Sequence, residues 1–367
     1  MKILVVSPLK REITPKITAA RPRVIFDLVS GLIKKGHGVS ILGTGDSIVP
    51  GAKIIPVIPK SFVRMPASEN PFYTETGFLA KMAKILEKIG SNFDIIHNHT
   101  YPEFINLLVA RNLKSPVITT IHAQITPELD EVLSYFNDVK NSYLISLSRA
   151  HRKLAKKTKF YKIIYNGVDT NLYKLCEKKD DYFLWIGRLS KAKDKKGKFL
   201  DPKGIRWAIK LARETNSRLF LTGNVEDKEF FDTDVKPYLS SRIKWIGPVS
   251  SEQPLPKKEV VKLMQRAKVF LMTVNWEEPF GLVIAEAQAC GTPVIGFNRG
   301  AVSELVVNGK TGFVVKPREG ISGLKAALKN INRINYKDCR KNIEKNFSLE
   351  KMVDNYEKTY KEIIAAR

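Results

Sequence analysis

The sequence predicts an α/β protein made of two doubly wound, parallel-sheet domains. Three observations lead there. Short β-branched runs alternate with longer amphipathic segments, which is the pattern of βαβ units. The alternation restarts near residue 182, after a turn signal and a charged stretch. And a chain of 367 residues exceeds one ordinary core.

Taken in order, Ile3-Leu4-Val5-Val6 reads as a first strand. Arg23 to Lys35 places Val24, Leu28, Leu32 and Ile33 at helical spacing, and Gly36-His37-Gly38 ends that helix. Val39–Leu42, Asp94–His97, Val117–Ile121 and Ser142–Ser146 follow as strands, each bounded by polar or turn residues. The second cycle opens at Tyr182–Ile186 and runs through a helix at Gly204–Glu214 and strands at Arg218–Thr222 and Ile243–Ile246. It continues with a helical stretch at Lys262–Ala267, the strand Val269–Met272, the helix Leu282–Cys290 and the strand Pro293–Ile295. Asn166-Gly167-Val168-Asp169 and the charged Glu177–Asp181 lie between the cycles. The junction is therefore expected there, with a first domain over 1–170 and a second over 171–348. The amphipathic segment 349–367 is expected to pack back on the first domain. In doubly wound sheets ligands bind beyond the carboxyl ends of the strands, so the expected site is a cleft between the two domains.

Composition narrows the function classes. With 43% hydrophobic and 27% charged residues the chain is globular. No stretch approaches the roughly 20 apolar residues of a membrane helix. The apolar run after Met1 is too short for a signal-peptide core. Three widely spaced cysteines (Cys176, Cys290, Cys339) suggest neither a disulfide framework nor a zinc site, and a reducing, cytoplasmic setting is expected. The net charge of +25 divides almost evenly, +12 up to residue 167 and +13 beyond it. A spread excess of this kind fits a solvated surface or a general affinity for anions, such as phosphate-bearing substrates or a membrane face. It does not specify nucleic acid.

The residues that carry chemistry lie in Thr273-Val-Asn-Trp-Glu-Glu-Pro-Phe-Gly-Leu-Val-Ile-Ala-Glu-Ala-Gln-Ala-Cys-Gly-Thr-Pro-Val-Ile295. Glu278 falls in a loop just before a helix opened by Pro279-Phe280-Gly281, and Glu286 falls one turn inside that helix. A helix N-terminus offers unpaired N–H groups and a partial positive charge, which suit a diphosphate. A carboxylate one turn in can accept ribose hydroxyls. Taken alone, the two glutamates fit equally a solvated acidic loop and an ordinary helical glutamate.

The whole string resembles the retaining glycosyltransferases of family 4, whose two glutamates carry Pro-Phe-Gly after the first and Ala-Cys-Gly-Thr-Pro-Val-Ile after the second. The resemblance extends over nearly the full chain, through Gly36-His37, His97-Asn-His99, Thr120-Ile-His122, Asn166–Asp169, Gly187-Arg188, Gly223, Glu304 and Asn308–Gly312. It implies the GT-B fold and transfer of a hexosyl group from a nucleoside diphosphate sugar to a hydroxyl acceptor (a glycan, a lipid or a small molecule). It further implies that Glu278 holds donor-sugar hydroxyls and Glu286 the ribose. Backbone N–H groups of Phe280, Gly281, Leu282 and Val283 would meet the sugar and diphosphate. Arg188 and a following lysine would neutralise the leaving diphosphate, a fixed electrostatic effect. His122 would face the sugar, and the base would rest near Gly247-Pro248-Val249. No metal and no cofactor beyond the sugar nucleotide is implied.

Two departures stand out. The family has few residues between the arginine and a Lys-Gly pair, whereas Ser190 to Pro202 intervene here. Lys203-Gly204 matches because Ile205, Ala208, Ile209 and Ala212 follow at helical spacing, with Lys196 as the rival. Before the first helix the family has a Gly-Gly loop, where this chain has Ala19-Ala20, so the acceptor side is not assumed to share the family's shape.

Weaker constellations have bland readings. His97, His99 and His122 lack metal-ligand spacing and read as strand-end histidines. Asp232-Thr-Asp234 reads as surface. The cations from Arg149 to Lys162 fit either contact with anionic lipid at the inner membrane face or a solvated helix, and Leu79–Lys88 is a basic amphipathic helix expected to pack on its own sheet. Rival functions are an epimerase or phosphorylase on the same fold, a non-catalytic sugar-nucleotide sensor, and a basic nucleic-acid-binding protein. For the last, no repeated module is present.

Overall fold

The computed structural model describes residues 1–249 and 254–366. The chain divides into two compact units, Met1–Asn166 with the residues from Leu349 onward, and Gly167–Ser348.

Among the described residues the first unit holds seven strands: β1 (Lys2–Val6), β2 (Gly38–Thr44), β3 (Lys53–Ile58), β4 (Ile95–Asn98), β5 (Val117–Thr120), β6 (Ser142–Ser146) and β7 (Lys162–Ile163). They stand in the order β3-β2-β1-β4-β5-β6-β7, and every pair is parallel. A parallel sheet is covered on both faces, so its central strands read as continuous apolar runs, and Ile3 to Val6 are fully buried. From β1 the chain builds the sheet outward to one side, then returns at β4 and builds toward the other. The loops leaving β1 and β4 therefore diverge at their carboxyl ends and leave a crevice between them.

β3 carries Pro56, which cannot donate to a ladder, and it occupies the sheet edge, where that loss is tolerated. The helix Pro71–Ile89 buries Leu79, Met82 and Leu86 against this sheet, as expected for the basic amphipathic segment.

The helix Leu349–Ala365 belongs to the first unit. It packs on the helix Ala20–Lys34 at Gly31, where a Cβ atom would come within 2.4 Å of Val353. Its buried tyrosines reach the sheet: the Tyr356 hydroxyl bonds to Thr120 (2.8 Å) and that of Tyr360 to His97 Nδ1 (2.6 Å). Outside, Lys35 pairs with Asp354 (2.7 Å) and Glu357 (2.6 Å).

The second unit repeats the plan with β8 (Phe183–Ile186), β9 (Leu219–Thr222), β10 (Ile243–Gly247), β11 (Val269–Met272), β12 (Val294–Phe297) and β13 (Gly312–Val315). Their order, β10-β9-β8-β11-β12-β13, is again wholly parallel and reverses between β8 and β11. Trp185, Leu219, Leu221, Val269, Leu271 and Ile295 form the centre of its core.

The division falls at Asn166, four residues before the boundary suggested by the turn signal at 170. The Val168 N–H donates to the Phe347 carbonyl (3.0 Å), which ties this turn to the second unit. The helix expected at Lys262–Ala267 begins earlier, spanning Lys257–Arg266 directly after Pro256. No helix among the described residues is long and apolar enough to cross a membrane.

Candidate functional site

In the second unit the loops leaving β8 and β11 flank the topological reversal, and both carry residues singled out from the sequence. The β8 loop ends in Lys203. Asp201 accepts the N–H groups of Gly204 (2.8 Å), Ile205 (3.0 Å) and Arg206 (3.0 Å), capping the helix Ile205–Glu214. Burial raises the Asp201 pKa, against the pull of those three bonds. Gly204 is left-handed (φ +73), and a Cβ there would stand 1.7 Å from the Thr273 carbonyl oxygen. The β8 loop is thus seated directly on the end of β11, which only glycine permits.

That seating brings Lys203 to Glu278. The ammonium lies 2.8 Å from Glu278 Oε2 and 4.1 Å above the Trp276 ring, whose Nε1–H donates to the same oxygen at 3.0 Å. Glu278 is 8% exposed. Both partners use Oε2, not Oε1. The backbone beneath is clamped from the loop after β12: the Gly300 N–H donates to Glu277 Oε2 (2.5 Å), and the Ala301 N–H to the Glu278 carbonyl (2.9 Å).

The helix Leu282–Ala289 starts from left-handed Gly281 (φ +92), and its first N–H groups have no intrahelical acceptor. Leu282 and Val283 are half-buried there, whereas Phe280 turns inward and meets Phe347 edge-on at 5.9 Å. Glu286 accepts from the Tyr173 hydroxyl and lies 3.4 Å from the Lys257 ammonium. Its carboxylate is thus held in a cationic and hydroxylic setting.

Arg188 is exposed and pairs with Glu226 at 3.2 Å, so it shares the β8 loop with Lys203 but does not join the Glu278 cluster. The ends of β8, β9 and β10 are stitched together. A Cβ on Gly223 (φ +151) would fall 1.4 Å from the Gly187 carbonyl oxygen. The Gly247 carbonyl accepts the N–H of Gly223 (3.0 Å) and the hydroxyl of Thr222 (2.5 Å). Pro248 and Val249 follow, the latter donating to Asn224 Oδ1 at 3.2 Å. The segment Ser190–Pro202 holds a small hairpin closed by Lys193 and Phe199, whose turn places Lys196 at an exposed tip. Of the two lysines the sequence leaves open, Lys203 is the one beside Glu278.

In the first unit, His122 follows β5 and His99 follows β4. Their rings are hydrogen-bonded, His99 Nδ1 to His122 Nε2 at 2.8 Å. Burial, reinforced by the nearby Arg21 cation, holds His99 down to about 3 and His122 well below the usual imidazole range, so both are neutral. Arg21 is itself fixed by the Thr100 carbonyl (3.0 Å) and Glu103 (3.0 Å). His97 spends both ring nitrogens on Tyr360 and Thr120. The first-helix loop keeps Ala19 extended (φ −66, ψ 134), a conformation open to alanine.

Asp232 and Asp234 lie on the helix Lys228–Asp234, both partly exposed, and Asp234 pairs with Arg206 at 2.6 Å. The basic cluster is partly neutralised: Lys157 pairs with Glu131, Lys162 with Glu362 (2.7 Å), and Asp130 caps the backbone of Lys156 and Lys157. Sequence reasoning gave no part in the site to Trp276 and His99, though both lie in its motifs, and passed over Asp201 and Gly300. Asp201 had a signal, an acidic residue four before an apolar helical pattern. The others had none that pointed to these contacts: Gly300 meets Glu277 and His99 meets His122 from distant elements, and Lys203 reaches the Trp276 ring from the β8 loop.

Two family models match, one described as Glycosyltransferase Family 4 over residues 22–172 and one as Glycosyl transferases group 1 over 174–346. N-acetyl-alpha-D-glucosaminyl L-malate synthase of Bacillus anthracis is 25% identical over 311 residues, 78% of each chain. The sucrose-phosphate synthase of Thermosynechococcus elongatus superposes with a TM-score of 0.80 at 18% identity, covering 100% of both chains. The Anabaena protein HepE, solved in complex with UDP-glucose, gives 0.68 at 16% identity over 99% of this chain and 100% of its own. Such structural likenesses assign the fold, GT-B.

Proposed function

We propose, for a chain that belongs to the family 4 glycosyltransferases and is an enzyme of that class, that it moves a hexosyl unit from a nucleoside diphosphate sugar to a hydroxyl acceptor with retention of configuration. The observation that carries this reading is the Lys203–Glu278–Trp276 cluster at the sheet reversal of the second domain, beside the N-terminus of the helix Leu282–Ala289. The helix end accommodates a diphosphate, Glu278 Oε1 a sugar hydroxyl and Glu286 the ribose. Gly247 and Pro248 lie at the end of β10, where the base would rest. A bound sugar nucleotide in HepE supports the donor class.

In the proposed reaction the bond from the anomeric carbon to the β-phosphate oxygen breaks while a bond to the acceptor oxygen forms on the same face. The acceptor proton passes to the departing phosphate oxygen. No side chain serves as nucleophile; Arg188 and Lys203 stabilise the negative charge that builds on the diphosphate. No metal or further cofactor takes part in this scheme. The family resemblance assigns His122, just after β5, to the donor sugar. The acceptor is a hydroxyl compound of the cytoplasm or of the inner membrane face.

The test is a hydrolysis and thermal-shift screen across UDP-, GDP- and ADP-sugars. One nucleotide class should be cleaved slowly and raise the melting temperature, and Glu278→Gln should abolish cleavage. If no sugar nucleotide binds or is cleaved, the reading fails.

A further inference from the structure

The paired histidines of the first domain have a proton to place, and the structure restricts where it goes. His99 Nδ1 and His122 Nε2 are 2.8 Å apart, so one must donate and the other accept. Both rings are neutral, and each carries one N–H. If His122 donates from Nε2, the proton of His99 must sit on its own Nε2. That atom is fully buried and has no hydrogen-bond partner among the described residues. A buried N–H with no acceptor is rarer and more costly than a bare ring nitrogen. The positive field of Arg21 acts on the same ring and favours a lone pair over another N–H.

Neighbouring groups do not reverse this. His97 stacks on His99 with ring centroids 3.8 Å apart, but its nitrogens are engaged with Tyr360 and Thr120. His151 directs Nε2 at the Ala123 carbonyl (2.8 Å), so it is the donor there. Glu103 is tied to Arg21.

We infer that His99 is a positioning residue that locks His122 in the Nδ1-protonated tautomer. His122 then accepts at Nε2 and offers Nδ1–H outward. It is half-buried and makes no other hydrogen bond among the described residues, so Nδ1–H is the group left for a ligand. A ring held this way donates to a hydroxyl or phosphate oxygen and cannot act as a base toward the ligand. The functional half of the inference rests on the reading that His122 faces the donor sugar; the tautomer itself does not.

The experiment uses the full chain labelled with ¹⁵N-histidine, reading each ring's tautomer from two-bond proton–nitrogen correlations, with the His122 signal assigned by its loss in His122→Gln. The wild-type protein should show His122 protonated at Nδ1 and bare at Nε2. In His99→Asn, whose amide N–H stands where Nδ1–H stood, that pattern should persist. In His99→Leu it should change to a mixture of tautomers. With the sugar nucleotide the wild-type protein cleaves, His99→Leu should lower turnover about five- to tenfold, the worth of one oriented hydrogen bond, and His99→Asn should recover most of it. Wild-type His122 protonated at Nε2 overturns the inference whether or not the variants fold. Unchanged turnover in a folded His99→Leu overturns the functional half. If no sugar nucleotide is cleaved, the donor reading fails separately and the wild-type tautomer still decides the assignment.

Discussion

At the scale of single residues, the second-domain site depends on how closely two loops can approach. Gly204 touches the Thr273 carbonyl, and Lys203 beside it touches Glu278. Gly204→Ala should therefore destabilise the protein by about 2 kcal/mol or more, from positive-φ strain and the steric clash together. Thermal unfolding should show the loss, and cleavage of the sugar nucleotide should fall with it. Lys203→Ala is a different change, since it removes a charge without crowding the backbone. Turnover should drop about 10²-fold or more, with a smaller effect on donor KM, because in the proposed reaction the charge it meets develops in the transition state. Arg188→Ala should show the same split. Turnover equal to wild type in either variant removes that residue from the mechanism.

The element scale shows how much of the fold could be read beforehand. Val269–Met272 and Ser142–Ser146 were legible to the residue because a buried parallel strand is an unbroken apolar run between polar bounds. β3 was not, since Pro56 and the charged Lys53 give Lys53–Ile58 the look of a loop, and only its edge position makes them acceptable. The helices Gly320–Lys329 and Tyr336–Asn346 went unread because glycines open the first and eight of the second's eleven residues are charged or amide. In the site, the motif string located Glu278, Gly281 and Glu286 on their loop and helix. Helical spacing after Gly204 already favoured Lys203 over Lys196; what spacing does not reveal is the hairpin that carries Lys196 to an exposed tip. The helix Leu349–Ala365 also carries a pH device. Lys35 and Lys361 hold Glu357 down to about 2, below its ordinary 4.5. A depressed carboxylate stabilises the fold fully above about pH 4.5 and loses that contribution as pH falls toward 2. Glu357→Gln should thus cost about 1 kcal/mol at pH 7 and flatten the stability curve between those limits, as acid titrations of denaturant midpoints would show. An unaltered acid limb would refute the assignment.

For the whole molecule, the charge of +25 is the quantity to explain. It is dispersed, and within the basic stretch after Arg149 Lys157 is paired with Glu131 and Lys162 with Glu362. Recruitment to an anionic surface would come from the summed field of the molecule and would be screened over about 10 Å at 0.1 M salt. Cosedimentation should show binding to anionic vesicles and none to zwitterionic ones, with release at high salt. Retention at high salt would point instead to inserted apolar groups such as exposed Phe72 and Tyr73.

The order of the chain has a consequence for how the protein comes into being. Residues 349–365, which cover the first sheet and supply Tyr356 and Tyr360 to Thr120 and His97, are translated after the entire second domain. On the ribosome the second domain has all its own residues before the first has its last helix. The first domain is begun earliest and completed last, and until then the face of β4 and β5 that the helix will cover is open to chaperones. A nascent chain stalled after Ser348 should hold a protease-resistant second domain next to a first domain that is still cleaved.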